Sequence, residues 1–500
     1  MIITKTIFLD LLYCQNNVWL KIHKPELLSH FVTSDFEKHL LEQGNEVESY
    51  ARNLFPGGIE VVGSGEEACN ETVRLMTAKT PALFQATFIM DDSLAKNDVL
   101  VYDSVNNCWN LYEVKGTNSI KENGPDYDHI DDLAFQASVL KRAGILIGQY
   151  FLVHLNKEYV RSGELDLQAL FLIEDQTEKV LARLPKTEEQ MQAAKEYLNS
   201  QKEPVGGCEC LFQGRSRHCT TFAHSNPEVP EYSIHDISRI GLSKKKLESL
   251  VERQIYDLND IPDDMTLSDI QWNQVRVHKD KKPIINSKEI NEELSKLKFP
   301  LYFLDYETFA PAIPIFNGYR PYQRIPFQFS LHILKGLSDE LTHIEYLHRE
   351  KTDPSESVAK LLKEHILPGG TIIAWNKSFE AGVNKEIGLR LSHYQANFEE
   401  FNGMLYDLRE IFQKQHYVHA GFKGSTSIKR VLPAIAPELH YKSLGIQDGG
   451  QASDAWWTMV SSSTSHEESI KIGNDLVAYC GFDTNAMYEI WKHLHNLPLA

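Results

Sequence analysis

The sequence predicts an α/β protein in three parts: a mixed domain over residues 1–231, a helical connector over 232–296 and a second mixed domain over 297–500. Three observations predict it. Short apolar, β-rich runs alternate with amphipathic helical stretches toward both ends of the chain. The middle turns helical and charged. The 42% hydrophobic content of 500 residues is enough for two or three separate cores.

In the first part, a helical start leads to apolar runs at 82–90, 99–102 and 109–114, which read as strands. An amphipathic helix follows at about 130–143, and 148–154 returns to strand. The connector carries Lys244, Lys245 and Lys246, and later Lys279, Lys281 and Lys282. Its run 234–250 is reminiscent of a helix-hairpin-helix, which holds phosphates with backbone amides and lysines; a solvated helix face explains the lysines equally well. The third part opens with a buried strand at 301–305, continues through 326–334 and 341–347, and reaches another strand at 371–375. Strands first, then strand and helix in alternation, is the order of a ribonuclease H-like sheet with flanking helices. There is no internal repeat, low-complexity tract or Walker phosphate loop, so nucleoside triphosphate hydrolysis has no motif behind it.

Charge and composition narrow the function. Fifty-one Lys and Arg stand against 69 Asp and Glu, and the net of −18 is the wrong sign for coating nucleic acid nonspecifically. Carboxylates concentrated at metal sites are compatible with that balance. No stretch approaches the roughly 20 apolar residues that span a bilayer, and residues 1–12 lack a basic n-region and cleavage site. A cytoplasmic protein with no membrane partner is expected. Seven cysteines are too few for a disulfide scaffold, so their clustering carries the information.

The run 301–309, Leu-Tyr-Phe-Leu-Asp-Tyr-Glu-Thr-Phe, ends a hydrophobic strand in Asp305 and Glu307. Spacing of i and i+2 puts both carboxylates on one face. Two acids that close call for a cation, and paired Mg²⁺ or Mn²⁺ ions are the usual solution in phosphoryl transfer. Near the carboxyl end, Tyr479 and Asp483 share one helix face by i, i+4 spacing. Together these motifs resemble the DEDDy family of 3′→5′ exonucleases, which share the ribonuclease H-like fold. Asn376-Lys-Ser-Phe379-Glu380 resembles that family's Asn-x-x-Phe-Asp motif, with Glu380 one methylene longer than the usual aspartate. Asp407 ends another apolar run and is either a further acid of the site or a helix cap. From Pro300 onward the chain also resembles an uncharacterised bacterial domain family of this exonuclease type. In its run 424–433, Lys429 and Arg430 have only phosphate contact as a candidate role.

In the first part, Asp98 precedes Glu113-Val-Lys115 on what reads as the neighbouring strand. This spacing resembles the PD-(D/E)xK nucleases, and so implies a restriction-endonuclease-like domain. The resemblance implies that Asp98 and Glu113 bind a divalent metal, while Lys115, on the face of Glu113, eases hydroxide formation. Gln136 takes the place of the helical glutamine of the RecB-like branch, with Leu140 where its tyrosine is expected. Glu48, in Gly44-Asn-Glu-Val-Glu48, replaces a motif histidine and joins the candidate metal ligands. The bland alternative for Glu113 and Lys115 is a solvated charge pair.

Cys208, Cys210 and Cys219 lie close together after this region, and Cys14 lies near the start. Four thiolates suit a [4Fe–4S] cluster or zinc, and unliganded thiols are the remaining alternative. Nucleases of the helicase-associated AddB kind, and CRISPR adaptation exonucleases, are similar in clasping this fold with a cluster split in this way. The resemblance implies a structural clamp. Cys69, Cys108 and Cys480 read as ordinary buried residues.

The expectation is a two-site, metal-dependent nuclease acting on nucleic acid, DNA ahead of RNA, in repair, processing or mobile-element defence with a helicase as candidate partner. The alternative is a nucleic-acid-binding scaffold in which one or both sites have lost catalysis.

Overall fold

The computed structural model describes residues 1–28, 35–124 and 127–498, with backbone alone at 35–37 and 39. The protein is mixed α/β, and the chain forms two compact units. The first comprises Met1–Leu211, His218–Asn226 and Pro311–Gln323; the second comprises Phe212–Arg217, Pro227–Ala310 and Arg324–Ala500. The stretch 232–296 thus belongs to the second unit, and Pro311–Gln323 to the first.

The first unit holds strands β1 (Ile3–Thr4), β2 (Gly58–Glu60), β3 (Ala82–Met90), β4 (Ser93–Asp103), β5 (Cys108–Lys115), β6 (Ile147–Leu155) and β7 (Phe171–Asp175). They form one mixed sheet in the order β2-β3-β4-β5-β6-β7, with β1 paired parallel to β4. Side-chain alternation separates two faces. Leu100, Trp109 and Leu111 join the core made with helix His129–Arg142, whereas Val99 and Val114 join Val47, Ala51, Ala312 and Ile313 on the other side. Asp128 caps helix His129–Arg142, its side chain accepting hydrogen bonds from the amides of Ile130 and Asp131. That helix is buried from His129 through Leu140 except at Asp131, and its Asp132 and Gln136 find partners inside.

In the second unit, β8 (Ile284–Ile285) pairs with a later short strand. A five-stranded sheet is built from β9 (Leu301–Phe309), β10 (Ile325–Leu334), β11 (Thr342–Leu347), β12 (Thr371–Ala374) and β13 (Leu405–Asp407); the partner of β8 is β14 (Tyr417–Val418). The sheet order is β11-β10-β9-β12-β13. The first three strands are antiparallel, and β12 and β13 run parallel to β9. Central β9 is covered on both faces, which explains its continuous apolar character. Tyr302, Leu304 and Tyr306 pack with Phe329, Leu331, Val383 and Phe398. On the opposite face, the Phe303 ring meets Tyr488 and Trp491, and the Phe309 ring stacks on Trp457. Asp305 and Glu307 alternate with those two phenylalanines, so the long helix His466–His495 bears on the acidic face.

The strands at 82–90 and 109–114 and the helix at 130–143 stand where expected, within a residue or two, but β4 begins at Ser93 and β9 runs on to Phe309. The helix-hairpin-helix expectation is corrected. Residues Ile234–Asp236 and Ile240–Leu242 are single 3₁₀ turns, and only Lys244–Glu252 is an α-helix. Its Leu247, Leu250 and Val251 are buried while Lys244 and Lys245 are exposed, the pattern of a solvated helix face. Among the described residues, no helix is long and apolar enough to cross a membrane.

Candidate catalytic and metal-binding sites

Helix His466–His495 carries Tyr479 and Asp483 to the acidic face of β9. Both are buried, as are Glu307 and Glu380. Carboxylate oxygens of Asp305 and Glu307 lie within 4.8 Å of each other and of Cys480 Sγ. Burial pushes the Asp305 carboxyl well up, and Asp483, Glu307 and Glu380 add to it. Glu307 is raised in the same way, chiefly by burial and then by Asp483. Burial also lifts Asp483 to about 6, although Tyr441, Lys429 and Tyr479 oppose it. Like charges converging out of water create a demand for a cation. No hydrogen bond reaches the Glu307 carboxylate from the described residues.

Glu380 stands on the first turn of helix Lys377–Arg390. It is 3% exposed, its Oε2 has no hydrogen-bond partner, and burial pushes its carboxyl up to about 8. Its charge acts on Asp305 and Glu307 without belonging to the close ligand group. Asp407 has a structural job: it accepts hydrogen bonds from the amides of Lys377 and Arg409, tying β13 to the start of that helix.

One neighbour, Tyr441, escaped sequence reasoning; for the other, Lys429, the sequence offers phosphate contact alone. The Tyr441 hydroxyl donates to Asp483 Oδ1, fixing the carboxylate. Lys429, on helix Ile428–Ile435, donates to the carbonyl of Gln447 and places its ammonium 5.5 Å from the Tyr441 ring centre and 5.8 Å from that of Tyr479. Lys429 is the cation whose charge eases Glu307 and Asp483. Arg430 has no such place. Cys480 departs from the expectation of an ordinary buried residue, because its Sγ lies 3.9 Å from Asp305 Oδ2.

Residues 302–427 match a family described as a domain of unknown function, DUF2779. The match spans about a quarter of the chain. It includes Asp305, Glu307 and Glu380 and stops before Lys429, Tyr441, Tyr479 and Asp483. No curated protein matches the chain significantly.

The first unit holds a second constellation. Register across β4 and β5 pairs Val99 with Tyr112, which leaves Asp98 beside Glu113. The amide of Val114 donates to Asp98 Oδ2 at 2.8 Å. Helix His129–Arg142 supplies Gln136, whose Nε2 donates to Glu113 Oε2 at 2.7 Å and to Asp132 Oδ1 at 2.8 Å. Lys115 reaches Glu113 Oε1 at 2.8 Å and also binds Asp132. Asp98, Glu113, Lys115 and Gln136 are therefore one network, and the solvated-pair reading of Glu113 and Lys115 fails because Glu113 is 1% exposed.

The same network contains Lys5, Asp132 and Tyr127, which carried no motif. Lys5 Nζ lies 2.6 Å from Glu113 Oε1 and 3.2 Å from Asp132 Oδ1, and Tyr127 donates to Asp132 Oδ2 at 3.2 Å. Burial would raise Glu113, but Lys115 and Lys5 overcome it and hold the carboxyl well below the usual range. Asp98 is instead raised, by burial first and Glu113 second. Glu48 sits at the edge: it pairs with Arg52 at 2.8 Å and accepts from Gln85. Gln85 interrupts β3 with a left-handed φ of 58°, a conformation costing about 1 kcal/mol or more in a non-glycine residue, and its side chain also comes within 3.5 Å of Asp98.

Cys14, Cys208, Cys210 and Cys219 converge, with all four Sγ atoms within 4.8 Å of one another and all four residues buried. Cys208 and Cys219 are 3.8 Å apart. Thiolates around one tetrahedral zinc at about 2.3 Å stand roughly 3.8 Å from each other. A cavity of about 250 Å³, lined in part by Cys14, Cys208 and Tyr197, opens beside them and offers room for a larger centre. Asn17 ties the Cys14 segment to the Cys219 segment: its Oδ1 accepts from the hydroxyls of Thr220 and Thr221 and from the Thr221 amide. Hydrogen bonds among the four thiols lower Cys208 and Cys219 and raise Cys14 and Cys210.

Proposed function

We propose that the protein is a metal-dependent nuclease whose hydrolytic centre is formed by Asp305, Glu307 and Asp483 on a ribonuclease H-like sheet. The observation that carries this reading is the convergence of half-buried Asp305 with buried Glu307, whose carboxylate accepts no hydrogen bond from the described residues. Mg²⁺ or Mn²⁺ held by these three carboxylates would supply the Lewis acidity for phosphodiester hydrolysis. Tyr441 orients Asp483, and the Tyr479 hydroxyl would orient an attacking water. Lys429 faces incoming phosphate. Glu380, whose carboxyl burial pushes up to about 8, stands outside the close ligand group. The resemblance to DEDDy exonucleases favours 3′→5′ removal of nucleotides, with DNA ahead of RNA as the substrate, and a cytoplasmic setting suits seven unpaired cysteines.

For the first unit, Lys5 favours a second reading. Its ammonium lies against the carboxylates that would take a divalent ion, and with Lys115 it balances Glu113 and Asp132. We infer a RecB-like, PD-(D/E)xK-type module that grips nucleic acid, or a helicase-bound end of it, rather than cutting. Its four cysteines hold a [4Fe–4S] cluster or zinc as a clamp.

The test is cleavage of end-labelled single- and double-stranded DNA and RNA with Mn²⁺. Asp305→Asn should abolish release of mononucleotides, and Glu113→Gln should weaken binding while sparing turnover. Wild-type rates in Asp305→Asn would overturn the assignment.

A further inference from the structure

Cys480 gives the acidic site a soft donor. It is fully buried, follows Tyr479 on helix His466–His495, and directs its sulfur at Asp305, 3.9 Å from Oδ2 and 3.9 Å from the backbone carbonyl. Glu307 is 6% exposed, its carboxylate accepts no hydrogen bond from the described residues, and one of its oxygens lies within 4.8 Å of both Asp305 and Cys480. We propose that Asp305, Glu307 and Cys480 form a mixed carboxylate–thiolate site for thiophilic divalent cations such as Zn²⁺ or Cd²⁺, which compete there with Mg²⁺ or Mn²⁺. This deepens the nuclease reading and shares two of its carboxylates.

Distance supports the assignment. Sulfur at about 2.3 Å and oxygen at about 2.0 Å from a tetrahedral ion are roughly 3.5 Å apart, so 3.9 Å closes with a shift of a few tenths of an ångström. Hard Mg²⁺ prefers oxygen and draws on Asp305, Glu307 and Asp483, whereas a thiophilic ion draws Cys480 inward. On binding, the Cys480 S–H bond breaks, one sulfur–metal bond forms and the proton passes to solvent. Occupancy by the softer ion takes Asp305 and Glu307 from the hydrolytic geometry. The site therefore reads which divalent cation is in excess.

The test titrates full-length wild type and Cys480→Ser with Cd²⁺, following thiolate-to-cadmium charge-transfer absorbance. The four-cysteine set contributes to both proteins, so their difference spectrum isolates Cys480. A difference band saturating at one equivalent and lost in Asp305→Asn is expected. Zn²⁺ should also inhibit Mn²⁺-supported cleavage at least about tenfold more strongly in wild type than in the variant. Cys480→Ala, which buries no new hydroxyl, repeats the comparison should the serine disturb folding. Identical Cd²⁺ spectra for wild type and both variants would overturn the proposal, even with Mn²⁺-dependent cleavage intact. A Cys480-dependent band in a protein without cleavage would uphold the cation site and sink the nuclease reading alone.

Discussion

Lys5 Nζ stands 2.6 Å from Glu113 Oε1, across 108 residues of sequence. With Asp132 also within 3.2 Å, this ammonium occupies the convergence point of the first unit's acids. Removing one partner of a buried ion network costs about 3–5 kcal/mol. Lys5→Met should therefore melt at lower temperature, and Mn²⁺ should recover part of the loss by taking the vacated position. Calorimetric Mn²⁺ titration in an Asp305→Asn background checks this: an added binding site is expected only when Lys5 is absent, and equal binding with and without Lys5 would refute the idea.

The pH response of the second unit follows from Asp483. Its folded carboxyl titrates at about 6, against an ordinary value near 3.9. A raised carboxyl contributes stability that is fully present below about pH 4 and lost as pH rises through about 6. Asp305 and Glu307 shift in the same direction. In chelator, Asp483→Asn should gain melting temperature over wild type at about pH 8 and lose that advantage at about pH 4. Melting curves of the pair across that interval measure the difference, which cancels every unrelated titration.

Lys429 offers a distinction between packing and electrostatics. Lys429→Met should reduce kcat/KM by about 10²-fold, the scale for losing one charged contact to a developing phosphate charge. It should at the same time tighten Mn²⁺ binding, since a cation beside Glu307 and Asp483 is gone. Lys429→Arg should retain much of the activity. A variant that lost activity with unchanged Mn²⁺ affinity would make the lysine merely structural.

Elemental analysis of anaerobically purified protein should find metal that depends on the four cysteines. One zinc per chain corresponds to the 3.8 Å sulfur spacing; iron with broad visible absorbance corresponds to thiols opened toward the neighbouring cavity. Cys210→Ala should lose the metal and melt about 10 °C lower, as for a few kcal/mol in a domain of this size. Full retention of metal in Cys210→Ala would remove Cys210 from the ligand set.

Residues joined by short spacing were legible in the sequence. Asp305 with Glu307, and Tyr479 with Asp483, declare a shared face through strand or helix periodicity. Asp132 was also within reach, since it lies i−4 from Gln136 on the same helix and both face inward. Lys5 and Tyr441 were not. Each is brought to its site by tertiary packing between segments with no motif spacing to link them, and a lone lysine or tyrosine has no periodic partner to announce it. Cys480 was hidden by its chemistry: an apolar-looking residue on a buried helix reads as core until a carboxylate is found against it. Gln85 was invisible for another reason, because its left-handed φ inside β3 follows from the fold rather than from its residue type.

The segment Pro311–Gln323 belongs to the first unit although the chain on either side of it belongs to the second. Ala312 and Ile313 complete the core around Val47 and Phe84, and the Tyr322 hydroxyl donates to the carbonyl of Gly116. The two units are thus threaded through one another in the covalent chain, and no single cut separates them. A gene split before residue 297 would strand a hydrophobic plug on the wrong fragment. Whatever each unit does, they are inherited, synthesised and lost together, so a truncation that silences one activity will report on both.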